Sequence, residues 1–182
     1  AAIDGHALLH LDGTLAPGQR LTQDELAELL GVSRQPVSHA LQLLRRRGLF
    51  VDAGKRGVAV APLDAQRIRD LYQVREALDG LAAEQAAIRQ RERKLSIRQI
   101  GPLRAVLAQG AELTIETPMP RMIDADVAFH TAIHELSGNA AIAETVAEQW
   151  PHFRRSMKLV LEGPKMRARV WSEHAQIADA IL

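Results

Sequence analysis

Asp126, His130 and His134 stand four residues apart in a stretch whose apolar pattern reads as one helix, so all three project from nearly the same face. A carboxylate with neutral imidazoles is the donor set of a nitrogen- and oxygen-ligated divalent metal such as zinc, nickel, manganese or iron. His174, preceded by Glu173 on the last helical stretch, is a further donor that a helical bundle can bring to the same interior. The blander alternative stays open, because seven histidines in 182 residues make a pair at this spacing unsurprising. Hydrolytic use of the cluster is the weaker expectation. His130-Thr131-Ala132-Ile133-His134 lacks the glutamate that serves metalloprotease helices as general base, and no nucleophile motif or phosphate-binding glycine loop accompanies it.

A second group of residues has the chemistry of polyanion binding. Between Ser33 and Gly57 the basic residues are Arg34, Arg45, Arg46, Arg47, Lys55 and Arg56, against the single acid Asp52. The whole chain carries only +1, so this charge is sorted locally rather than spread. Duplex DNA rewards such sorting, because each neutralised phosphate releases condensed counterions. Arg34 falls in the first turn of a short helix, the place from which a recognition helix aims side chains at base edges such as guanine O6 and N7. Lys55 and Arg56 form a basic loop in which Gly54 permits close backbone approach. For Arg45, Arg46 and Arg47 a solvated helix end, favoured by the helix dipole, is an equal alternative.

These two groups need elements to hold them, and composition limits the choice. Hydrophobic residues make up 47% of the chain but aromatics only 3%, so the core is aliphatic and helical packing is favoured over a β-sandwich. Six aromatic rings are too few for a stacking platform on single-stranded nucleic acid. The absence of cysteine excludes disulfides, thiolate metal sites and thiol nucleophiles, and permits a reducing cytoplasm. Apolar runs are far too short for a membrane span.

Along the chain, Ile3, Ala7, Leu8 and Leu11 recur at helical spacing, and Thr22 with Glu25 forms a capping box for a helix reaching Leu30. Gly31 supplies a turn, and Ser33 is the expected cap of a helix with Pro36 in its first turn and Val37, Ala40, Leu41 and Leu44 facing inward. Leu49 to Asp52 and Gly57 to Ala61 read as a two-stranded hairpin with a basic tip. Helix, helix, turn, helix, hairpin is the order of a winged helix-turn-helix, expected over residues 1–62, with a linker at 63–67. From about Asp64 to Arg91 a long helix is expected, with Ile68, Leu71, Val74, Leu78, Leu81 and Ala82 toward the core. Pro102, Pro118 with Pro120, Pro151 and Pro164 punctuate further helices, five or six in all, as an antiparallel all-α bundle over 68–182. The pattern is still helical and apolar at Leu182, so the bundle reads as cut short.

The run Pro17-Gly18-Gln19-Arg20-Leu21, then Leu26 to Val37 with Gly31-Val32-Ser33-Arg34-Gln35-Pro36-Val37 at its end, then Ala40-Leu41, Leu44 and Gly48-Leu49, resembles the DNA-binding domain of GntR-family transcriptional regulators. That family usually places a second Arg and a Glu after the Pro-Val pair, where this chain has Ser38 and His39, so one DNA contact is lost or replaced. The resemblance implies DNA contacts at Ser33, Arg34, Gln35, Ser38, His39, Arg45, Gly54, Lys55 and Arg56. Tyr72 to Leu78, Asp126 to His130, Ser137-Gly138-Asn139 and Glu173-His174 resemble the FCD effector domain of the FadR subfamily. That resemblance implies a divalent metal on Asp126, His130 and His174, with a remaining histidine ligand and closing helix past Leu182, and His134 behind the ligands or on the surface. It also implies a small organic acid as effector, with Arg75 placed to pair with it. The alternative for Arg75 is a surface pair with Asp79, four residues on. Asn139 reads as a helix cap. The leading expectation is therefore a cytoplasmic, homodimeric, ligand-controlled repressor of operator DNA, without catalysis. A metal-dependent hydrolase and an effector-independent DNA-binding protein are the alternatives.

Overall fold

The computed structural model describes residues 15–54, 57–161 and 163–182. The helix expected over Ile3 to Leu11 and the loop residues Lys55 and Arg56 lie outside them. The chain divides into two compact units between Ala65 and Gln66.

The first unit is built on β1 (Arg20–Thr22), α1 (Gln23–Leu30), α2 (Arg34–Arg46), β2 (Phe50–Asp52) and β3 (Gly57–Val60). Thr22 caps α1 as its spacing to Glu25 predicts: the Glu25 amide donates to the Thr22 hydroxyl at 3.2 Å, and the Thr22 amide donates to the Glu25 carboxylate at 2.6 Å. Gly31 ends α1 at φ +64, a left-handed conformation that costs glycine nothing. Ser33 holds the cap position of α2, but its hydroxyl makes no cap bond. The hairpin acquires a third strand: β1 pairs with β3, which also pairs with β2, all antiparallel, with Leu21 opposite Val58 and Val51 opposite Ala59. A three-residue strand is too short to show a period in the sequence, so only the pairing reveals it. Leu26, Val37, Leu41, Leu44 and Val58 are almost wholly buried and form the centre of this small core.

The second unit is entirely helical: α3 (Ala65–Arg91), α4 (Ile97–Ala111), α5 (Met119–Ser137), α6 (Ala140–Ala147), α7 (Trp150–Val160) and α8 (Pro164–Ile181). Residues 65–67, expected as linker, are already the first turn of α3. Pro118 and Pro120, Pro151 and Pro164 stand at helix starts, where a missing N–H is harmless. Pro102 departs from that expectation and lies inside α4, which a Ser96 capping box with Gln99 starts six residues earlier. Buried Ile100 and Leu103 flank the proline and anchor the helix against the one lost backbone bond. Asn139 begins α6, with no cap bond from its side chain.

The inward stripe of α3 also differs from expectation. Val74 and Leu81 are exposed, at 56% and 40%, while Arg75, Ala82 and Ala86 are buried. The row through 71, 75, 78, 82 and 86 faces the core, and 74 and 81 lie about 100° around the helix from it. Alanines on that row let the helix approach closely and leave room for one buried guanidinium. Leu103, Phe129, Ile133, Leu136 and Phe153 are the deepest part of the helical core. Among the described residues, no helix is long and apolar enough to cross a membrane.

Candidate functional site

In the first unit, α2 buries Val37, Ala40, Leu41 and Leu44, which turns the opposite face outward. Ser33, Arg34, Gln35 and His39 are exposed on that face, and Ser38 is half-buried. The Arg34 guanidinium pairs with Asp24 in the first turn of α1, Nε to Oδ1 at 2.8 Å. Arg45 is less available: it bonds Asp52 at 3.0 Å and ties the end of α2 to β2. Gly54, at φ +85, has open space where a Cβ would stand, so the need there is the turn itself.

In the helical unit, α5 presents Asp126 and His130 one turn apart, and α8 brings His174 to them. One donor atom from each lies within 4.8 Å of the other two. His174 Nε2 stands 3.5 Å from Asp126 Oδ1, and His130 Nε2 stands 3.8 Å from Asp126 Oδ2. These separations are long for hydrogen bonds. They suit donors sharing one ion, since two atoms about 2.1 Å from a tetrahedral metal are about 3.4 Å apart. The His174 ring is held in place by Phe129, stacked at 3.9 Å, and by Trp171, edge-on at 5.0 Å. Its Nδ1 is buried and has no hydrogen-bond partner among the described residues. Burial, then the charges of His130 and Arg75, push its pKa down to about 3, so the imidazole is neutral and its lone pair is available. Burial likewise pushes the Asp126 carboxyl up, against the pull of His130 and Arg75. A divalent cation would reverse that penalty, and the three side chains fit one.

Behind the ligands is the carboxylate of Asp79, which holds more than the Arg75 partner that its spacing suggests. Asp79 Oδ1 accepts from His134 Nε2 at 2.6 Å, and Oδ2 accepts from His130 Nδ1 and Arg75 Nε, both at 3.1 Å. Burial opposes its ionisation, yet the hydrogen bonds from His130 and His134, with the charges of His130 and Arg75, hold its carboxyl well below the usual range. His134 is 2% exposed, so of the two places the sequence allowed it, the surface is excluded.

Arg75 does pair with Asp79, but not as surface support, because it is 6% exposed. Its guanidinium carbon lies over Trp150, Phe153 and Tyr72 at 4.8, 5.0 and 5.8 Å. Of the six aromatic residues, all but Phe50 pack on this cluster: Tyr72, Trp150 and Phe153 on Arg75, and Phe129 and Trp171 on His174. Their scarcity elsewhere was the signal that could have found this shell. A cavity of about 470 Å³ opens beside the cluster, lined by Arg75, Asp79, Asp126, His130 and His174 together with Met157, Val160, Leu161, Val170 and Ile177. It has the size and mixed lining of a small-molecule site.

Residues 10–60 match the family described as bacterial regulatory proteins, gntR family, and residues 70–182 match the FCD domain. An uncharacterized HTH-type transcriptional regulator in an unstable DNA locus of Streptomyces ambofaciens is 33% identical over 172 residues, 92% of this chain and 68% of that protein. The Nta operon transcriptional regulator of Aminobacter aminovorans is 32% identical over 130 residues, 71% of this chain and 59% of that protein. In fold, the chain is similar to Escherichia coli McbR/YncC, with a TM-score of 0.78 at 22% identity, covering 97% of this chain and 83% of that one. The winged first unit and the helical second unit carry these two matches in turn, and the chain belongs to the GntR family of DNA-binding transcriptional regulators, with an FCD domain and not an enzyme's role.

Proposed function

We propose that the protein is a two-fold dimeric repressor whose grip on operator DNA is controlled by a small organic acid bound in the cavity of the helical unit. The observation that carries this reading is the convergence of Asp126, His130 and His174 on the wall of a cavity that also contains a buried arginine. Those three residues would hold a divalent metal, of zinc, nickel or manganese type, which when bound supplies a Lewis-acidic centre for a carboxylate. Arg75 supplies the second anchor, with a planar fork suited to carboxylate oxygens and the rings of Trp150 and Phe153 packed against its guanidinium.

DNA is read by Arg34, Gln35, Ser38 and His39 from the outward face of α2, with Ser33 and Arg45 at its two ends and Gly54, Lys55 and Arg56 at the loop tip. A dimer presents two such heads to half-sites whose spacing is fixed by the helical repeat of DNA. An acid that favours one packing of the helical unit then changes affinity by favouring one head spacing over another. The test is a titration of labelled operator with zinc-loaded protein, with and without candidate carboxylates. Release by one carboxylate supports the proposal. Affinity unmoved by any carboxylate, or equal for operator and random duplex across a salt series, favours a regulator without an effector and sinks it.

A further inference from the structure

We infer that Asp79 is the positioning residue of this centre: its carboxylate holds the His130 ring so that the proton sits on Nδ1 and the Nε2 lone pair faces Asp126 and His174. The inference rests on the metal reading above and adds a residue that lies outside the ligand set. His130 Nδ1 is 3.1 Å from Asp79 Oδ2, while Nε2 of the same ring faces Asp126 at 3.8 Å. An ionised carboxylate can only accept, so the proton between them belongs to Nδ1, and a neutral ring then leaves Nε2 bare.

Asp79 is itself held from both oxygens. His134 donates to Oδ1 at 2.6 Å and the Arg75 Nε donates to Oδ2 at 3.1 Å, so the carboxylate cannot turn away from His130 without breaking a partly buried bond. This accounts for His134, which shares the four-residue spacing but not the ligand cluster: its ring orients the carboxylate that orients the ligand. A carboxylate already accepting from three donors also has little capacity left for a cation, consistent with its absence from the cluster that gathers around Asp126. Carboxylates behind ligating histidines fix ring orientation and raise ligand basicity, and their loss weakens metal binding by about 10–100-fold.

The experiment combines long-range proton–nitrogen NMR of the metal-free protein at mildly alkaline pH with zinc affinity from chelator competition. Wild type, Asp79→Ala and Asp79→Glu are compared. The expected wild-type spectrum has His130 protonated on Nδ1 and bare on Nε2. Asp79→Ala should lose that signature and bind zinc about 10–100-fold more weakly, with Asp79→Glu recovering much of both. If Asp79→Ala does not fold, the wild-type spectrum and the glutamate variant still decide. A wild-type proton on Nε2, or unchanged zinc affinity in Asp79→Ala, overturns the role of Asp79 alone. A wild-type protein that binds no zinc while keeping the Nδ1 proton overturns the metal reading instead, and the positioning role falls with it.

Discussion

Replacing Gly110 by alanine tests the packing that aims His174. Gly110 is buried in α4 against Trp171 of α8, and a Cβ built on it would stand 2.0 Å from Cε3 and Cζ3 of the indole and 2.6 Å from Cδ2. Carbon atoms in ordinary contact are about 3.5–4.0 Å apart, so the ring must retreat by roughly 1.5 Å or more. Its other neighbours include Phe129 at 6.5 Å and the His174 ring, edge-on at 5.0 Å between centroids. Overpacking of this kind costs about 1–3 kcal/mol, against a gain of about 1 kcal/mol from alanine's better helix propensity. The net expectation is a loss of up to about 2 kcal/mol, which lowers the unfolding midpoint by up to about 8 °C. Because the retreating indole pushes on a ligand, zinc affinity should fall by about tenfold as well. Calorimetry of the metal-free protein and chelator competition measure the two effects separately. A midpoint that rises, as propensity alone would make it, together with unchanged zinc affinity, refutes the argument that Trp171 is wedged between Gly110 and His174.

Arg34→Ala should cost about 1–3 kcal/mol of operator affinity and relax preference at one base pair, whereas Arg45→Ala should weaken operator and random DNA alike and reduce the salt slope by about one, both readable by fluorescence anisotropy. Chelation of zinc-loaded protein should lower thermal stability, and zinc restored at about 100 times its dissociation constant should return about 2.7 kcal/mol, measured as the change in unfolding midpoint. Arg75→Met leaves Asp79 with its two imidazoles but without its guanidinium, so it should cost about 3 kcal/mol of stability. It should also abolish release of operator by the carboxylate while preserving operator binding in its absence; retention of the response would remove Arg75 from the effector site.

The local signals in the sequence were those with short range. The capping box at Thr22 and Glu25, the glycine turn at Gly31, the prolines at the starts of α5, α7 and α8 and the four-residue spacing of Asp126 and His130 each depend on neighbours a turn or two away. What escaped was set by contacts remote in the chain. β1 exists because Arg20 to Thr22 meet β3, some forty positions on. The buried row of α3 passes through Arg75 rather than Val74 because partners on other helices, Asp126, Trp150 and Phe153 among them, receive the guanidinium.

The sequence alone was enough to place Asp126 and His130 on one helical face and to show a local excess of basic residues between Ser33 and Gly57, because helical periodicity and charge are properties of consecutive residues. Only the tertiary structure decided that the His174 ring stands 3.5 Å from Asp126, that Asp79 gathers two imidazoles and a guanidinium, and that His134 turns inward to serve that carboxylate. The physical reason is burial: once α3, α5 and α8 enclose these polar groups, each must find a partner across helices or bear the cost of desolvation, and no pattern within one helix specifies which partner that will be.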